Sequence, residues 1–146
     1  MGDFALDISK FVAKAKNNSD LVVKKVVLDM GRRVVERSPV GDPTYWQSKP
    51  PAGYVGGRFR ANWQHGTGSM PTSTFDTVNT ADSMDRINAS LATSNGAAVH
   101  WIVNNLPYSI ALENGHSWHQ APQGMVKLTV IEFANIVSEK AREVNR

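Results

Sequence analysis

Four histidines, His65, His100, His116 and His119, are the residues from which this chain would have to build acid–base or metal chemistry, because it has no cysteine. His116-Ser117-Trp118-His119 spaces two imidazoles three residues apart, which on a helix would bring both rings onto one metal ion. Gly115 just before and Pro122 just after place the pair in a loop instead. A structural zinc site wants four ligands, and Glu113 is the only carboxylate near the pair. A hydrolase would need a second acid or an activated nucleophile within reach. A small metal-dependent hydrolase using His116 and His119 is therefore a third-ranked reading, and the expectation is no catalytic residue, no metal and no cofactor. Gly53-Tyr54-Val55-Gly56-Gly57 is not followed by the helix pattern of a nucleotide fingerprint, and no glycine loop ending in Lys-Ser/Thr occurs. Arg58 and Arg60 flank Phe59 with Trp63 nearby, a mix that stacks on single-stranded nucleic acid. The favoured reading is an alternating strand whose arginines pair with carboxylates across a subunit boundary.

Two islands rich in Gly, Pro, Asn and aromatic residues remain, and their composition is that of loops shaped to fit a neighbouring molecule. One is Ser38-Pro39-Val40-Gly41-Asp42-Pro43 running on to Gly56-Gly57-Arg58-Phe59-Arg60-Ala61-Asn62-Trp63-Gln64. The other is Asn104-Asn105-Leu106-Pro107-Tyr108 through Leu112-Glu113-Asn114-Gly115 to Gln120-Ala121-Pro122-Gln123-Gly124-Met125-Val126. The expected contact residues are Tyr45, Trp46, Tyr54, Arg58, Arg60, Asn62 and Trp63 in the first, and Tyr108, Glu113, Trp118, His119 and Gln120 in the second. Glu113 closes a short helix where the macrodipole disfavours negative charge, so a cation is expected beside it. Arg58 or Arg60, from the same or the next subunit, is the candidate.

The elements that position these residues follow from periodicity. Phe4, Ile8, Phe11, Ala15, Val22, Val26, Met30 and Val34 recur at helical spacing and predict an amphipathic helix to about Arg37, with a bend or fresh cap at Asn17-Asn18-Ser19-Asp20. Pro39 ends it. Residues 38–57 form a long Pro/Gly-rich interaction loop. Ala61, Trp63 and His65, alternating with Asn62 and Gln64, predict a strand with one buried face, and the Ser/Thr-rich stretch to Thr74 a turn. Asn79 or Thr80 caps a helix to about Thr93 with Ala81, Met84, Ile87 and Leu91 inward. Ala98–Val103 is a second strand with Val99, Trp101 and Val103 on one side. Pro107 opens a short helix to Glu113. Pro122 opens the last, striped by Val126, Val130, Phe133, Val137, Ala141 and Val144. The expected fold is a single α+β domain over residues 1–146, a small antiparallel sheet packed against long N-terminal and C-terminal helices. An open sheet edge invites pairing with a neighbouring subunit.

The order of the apolar N-terminal helix, Glu36-Arg37-Ser38-Pro39-Val40, Gly57-Arg58-Phe59-Arg60-Ala61-Asn62-Trp63-Gln64 and the helix after Gln120-Ala121-Pro122 resembles the head–tail joining, neck or tail-completion proteins of tailed bacteriophages. Many members pass from Ser-Pro-Val through a short Asp-Thr-Gly to Arg-x-x-Asn-Trp, whereas this chain inserts the loop from Gly41 to Gly56. The resemblance implies a non-enzymatic virion protein forming a ring at the head–tail junction, six copies favoured and twelve possible. Its partners would be further copies, a head-completion or adaptor protein, and a tail terminator or tail tube protein.

The 146 residues suit one domain, and no run of apolar residues reaches bilayer length, so the expectation is a soluble protein with no membrane partner. Met1-Gly2-Asp3-Phe4 lacks the features of a secretory signal, and assembly in the host cytoplasm is expected. The net charge of +3 is N-terminal: residues 1–37 hold eight Lys/Arg against five Asp/Glu, and the remainder eight of each. The alternative reading is a DNA-contacting channel module in which Lys24, Lys25, Arg32 and Arg33 face passing genomic DNA.

Overall fold

The structure, a computed structural model, describes residues 2–146, with side chains from Ile8 onward. Phe4, at the start of the expected helical stripe, lies outside the described side chains. The fold is α+β. Helix α1 (Gly2–Arg37) leads to strand β1 (Trp63–Thr67), helix α2 (Asp82–Ala92), strand β2 (His100–Asn104), the short helix α3 (Ser109–Glu113), and the consecutive helices α4 (Val126–Ile131) and α5 (Phe133–Val144). The strands form a two-stranded antiparallel sheet with Trp63 opposite Asn104 and Thr67 opposite His100.

α1 is one continuous helix of 36 residues, with no bend at Asn17–Asp20. Asp20 reaches across the fold instead of capping a new helix. Its carboxylate accepts the Gly96 N–H beyond α2 and pairs with Lys24 at 3.7 Å. Only the C-terminal half of the stripe is covered. Val26 and Val34 are buried, whereas Ile8 and Phe11 are 47% and 73% exposed, so the helix projects past the domain it serves. Gly31 lets α1 approach closely, since a β-carbon there would stand 3.3 Å from the Ile87 side chain and 3.5 Å from that of Ile102. The core beneath joins Val34, Val35, Phe59, Trp63, Ile87, Leu91, Leu106, Ala121 and Met125.

β1 departs from the expected single buried face. Trp63, Gln64 and His65 are all buried. The residues after β1 explain why: past a bend at Gly68 and Ser69 they fold back beside the strand. Gln64 Nε2 donates to Ser73 O (2.6 Å), and Asn62 both donates to Phe75 O (3.0 Å) and accepts from Phe75 N (2.7 Å). On β2 the residue packed against the core is Ile102, while Val99 and Trp101, the side singled out from sequence, stay exposed.

The C-terminal helix starts later than Pro122 and breaks at Glu132. Its buried positions are Met125, Thr129 and Ile136, and Val126, Val130 and Phe133 of the expected stripe are exposed. Two long-range contacts rotate it. The Glu113 carboxylate sets the first turn at Val126, and Glu132 at the break pairs with Arg33 and Arg37 of α1. Among the described residues no helix is long and apolar enough to cross a membrane.

Candidate functional site

The loop after α1 is built as a closed Ω. Gly41 and Gly56 lie against each other, close enough that a β-carbon on Gly56 would overlap the Gly41 carbonyl. Between them, Asp42 accepts from Thr44 N (2.9 Å) and starts a single 3₁₀ turn, Pro43–Tyr45. That turn presents Tyr45 and Trp46, and Trp46 packs on Tyr54 from the returning arm with ring centroids 4.7 Å apart.

The second island closes onto this loop. Gln120 meets the main chain of Val40 twice, accepting its N–H at 2.8 Å and donating to its carbonyl at 2.7 Å. His119 stacks on Tyr45 (4.1 Å between centroids) and Trp118 on His119 (3.8 Å). The two islands together line one cleft of about 610 Å³, whose walls include Tyr45, Trp46, Tyr54, Arg58, Tyr108, Trp118, His119 and Gln120. Five of these rings remain at least a third exposed, Trp118 most of all at 69%. Phe59 forms part of the floor beside Tyr108, with ring centroids 6.0 Å apart. Burial raises the Tyr108 phenol above its usual pKa, against an opposing effect of Arg58, so the ring stays neutral.

Three of the expected contact residues are scaffold. Trp63 is 4% exposed and its indole N–H donates to Ser38 Oγ at 2.7 Å; Ser38 itself donates to Val34 O at 2.6 Å. Asn62, equally buried, ties the Phe75 segment down as described above. Arg60 donates to Ser38 O (2.9 and 2.7 Å) and Glu36 O (3.3 Å), satisfying carbonyls at the end of α1, where the macrodipole favours a cation.

Within the chain neither Arg58 nor Arg60 meets Glu113; its partners are the main-chain N–H groups of Met125 (2.9 Å), Val126 (2.9 Å) and Lys127 (2.8 Å). The positive end of α4 supplies the charge that the C-terminus of α3 lacks. Burial alone would raise its pKa, but the three N–H bonds and nearby Lys127 outweigh burial and hold it below the usual 4.5.

The cations proposed to face DNA are each matched within the chain. Lys24 lies on Asp20 and Lys25 on Glu143 (3.3 Å), Arg32 contacts Asp29, and Arg33 bridges Asp29 (3.1 Å) and Glu132. His116 and His119 sit in a loop on the cleft wall, and among the described residues no group of three or more His, Cys, Asp or Glu is placed to hold a metal ion.

Two features escaped the sequence reading. His65 and His100 stack across the sheet with His65 Nε2 2.9 Å from His100 Nδ1. α2 also spends Ser83, Arg86 and Ser90 on β1: Ser83 Oγ accepts from Trp63 N (3.0 Å), Arg86 donates to Trp63 O (2.7 Å), and Ser90 donates to His65 O (3.1 Å). Their spacing, with Arg86 three and Ser90 seven residues after Ser83, is one helix face, which is the only signal that would have found them.

The fold and the cleft define a class: an α+β domain whose two loop islands join into an exposed aromatic cleft. No protein-family model, curated protein or solved structure matches the chain.

Proposed function

We propose that this protein is a structural component of a tailed-bacteriophage virion, forming an oligomeric ring at the head–tail junction that connects or seals head and tail. It works by contact: copies of itself, six favoured over twelve, meet a head-completion or adaptor protein on one side and a tail terminator or tube protein on the other. A head-to-tail contact repeated by rotation must close, which is why a ring is the expected assembly.

The observation that carries the reading is the junction of the two islands. Segments whose sequence order resembles the phage family, with Val40 and Gln120 80 residues apart, meet in one exposed aromatic cleft. Tyr and Trp with part of each ring wet are the residues enriched where proteins meet. The DNA-channel alternative gains no support from α1, where each of the four cations named for it already faces a carboxylate.

The test is a double substitution, Trp46→Ala with Trp118→Ala, read two ways. Circular dichroism and thermal unfolding are expected to match the parent, because both rings stand outside the core. Heads and tails produced with the variant are expected to remain unjoined, and in native mass spectrometry the parent is expected to run as a ring and the variant as a monomer. A monomeric parent, or normal joining by the variant, would overturn the proposal.

A further inference from the structure

The two edges of the sheet are not alike. In an antiparallel pair, alternate residues turn their main-chain groups toward the partner strand and those between turn outward. The Gly68 N–H on the Val99 carbonyl (2.8 Å) fixes the phase. With Gly66 opposite Trp101 and Gln64 opposite Val103, these pairs exchange hydrogen bonds, and Trp63, His65, His100 and Ile102 face outward. On β1 the outward N–H and C=O of Trp63 and the C=O of His65 are met by Ser83, Arg86 and Ser90 of α2. On β2, the main-chain N–H and C=O of His100 and Ile102 have no hydrogen-bond partner among the described residues. One edge is largely covered by α2 and the other is open.

The open edge also lacks the usual protections. From Ala97 to Asn104 there is no Lys, Arg, Asp, Glu or Pro, the residues that ordinarily keep a strand edge from pairing. Beside it runs a groove of about 240 Å³, lined by Val27, Met30 and Val34 of α1, Ile102, and Val126 and Val130 of α4. Its lining carries no carboxylate, lysine or arginine.

His100, also on that groove, supplies an independent sign of an absent ligand. His65 Nδ1 lies 2.7 Å from Ser90 Oγ and His65 Nε2 2.9 Å from His100 Nδ1, so in either tautomer the Nδ1 of His100 is engaged and its Nε2 is left over, as a lone pair or as an N–H. That atom is buried and has no hydrogen-bond partner. A buried polar atom without a partner is costly, and a ligand carrying a hydroxyl or amide, which can donate or accept, would relieve it.

We propose that the free edge of β2 and this groove take up an extended segment of a partner protein by strand addition. The segment's main chain pairs with His100 and Ile102, and apolar, uncharged side chains at alternate positions enter the groove. A hydroxyl or amide side chain pairs with His100 Nε2. This surface shares no residue with the aromatic cleft and stands independently of the ring reading.

The experiment uses the full chain, nitrogen-15 labelled and dilute, with acetyl-Thr-Thr-Val-Thr-Val-amide as probe, which puts one Thr and two Val side chains on one strand face, and the same peptide N-methylated at every internal residue as control. In the free chain the Ile102 and His100 amides are expected to exchange with solvent freely, while Trp101 and Val103 are protected by β1. Saturating probe is expected to slow Ile102 and His100 exchange about tenfold or more and to shift the His100 Nε2 resonance; the N-methylated peptide is expected to do neither. Equal effects of the two peptides, no slowing, or an Ile102 amide already as protected as Trp101 would overturn the proposal. Protection that grows with the chain's own concentration, without peptide, would assign the edge to a second copy and overturn the separate partner.

Discussion

Glu113 holds the first turn of α4 through three N–H bonds, so its loss is felt at a helix end far from it in sequence. Glu113→Ala removes the acceptor from all three donors and is expected to cost about 1–3 kcal/mol in urea denaturation. The pH dependence follows from its depressed pKa: the contribution is present above pH 4.5 and is lost as pH falls through the lower folded value. The stability of Glu113→Gln should be flatter in that acid window. His65 acts in a separate window. Burial, then the proximity of His100, lowers its pKa below 6.5, so the unfolded chain takes up a proton first. Stability is therefore expected to be full above pH 6.5 and to fall below it, and His65→Gln should blunt that fall in thermal scans between about pH 7 and 5. Ser38→Ala would strand the Trp63 indole N–H in the core, at an expected cost of about 1–3 kcal/mol.

Among the elements, the Ω-loop is the most separable, because its ends already touch at Gly41 and Gly56. Deleting Asp42 through Val55 and joining those glycines is expected to leave a cooperative thermal transition, with Tm displaced by only a few degrees, roughly the effect of 1 kcal/mol in a domain of this size. If the proposed junction role holds, the deletion abolishes head–tail joining. Loss of the transition would mean that the loop's rings complete the core. How much of this was legible in the sequence depends on how local each signal is. The end of α1 before Ser38-Pro39 and the closing of α3 by Asn114 and Gly115 are local signals, and so is the C-terminal end of α2. The start of α2 is not at Asn79 or Thr80, since the cap is Ala81, which is exposed and not inward, and Asn79 only accepts from Ala81 N. The break at Glu132 was not legible, since it depends on Arg33 and Arg37, and the second burial of β1 depends on Ser73 and Phe75. For the cleft, residue types sufficed to choose Tyr45, Trp46, Tyr54, Tyr108 and Trp118. Nothing local separated them from Trp63, which has the same chemistry but lies under α1 against Ser38.

For the molecule as a whole, the uncovered N-terminal half of α1 sets the outline. A helix of 36 residues is about 54 Å long, whereas a spherical domain of this chain length has a radius of gyration of about 15 Å. Small-angle scattering from a dilute sample is expected to give a larger radius than that, with a skewed pair-distance distribution. Truncation before Asn17 should remove the tail of that distribution. A stiff rod on a round body also acts as a spacer gauge. In any closed assembly that uses its tip, the pitch between neighbours would be written in helical turns, so that inserting seven residues, two turns or about 10 Å, should widen the assembly and nearly preserve its angular phase.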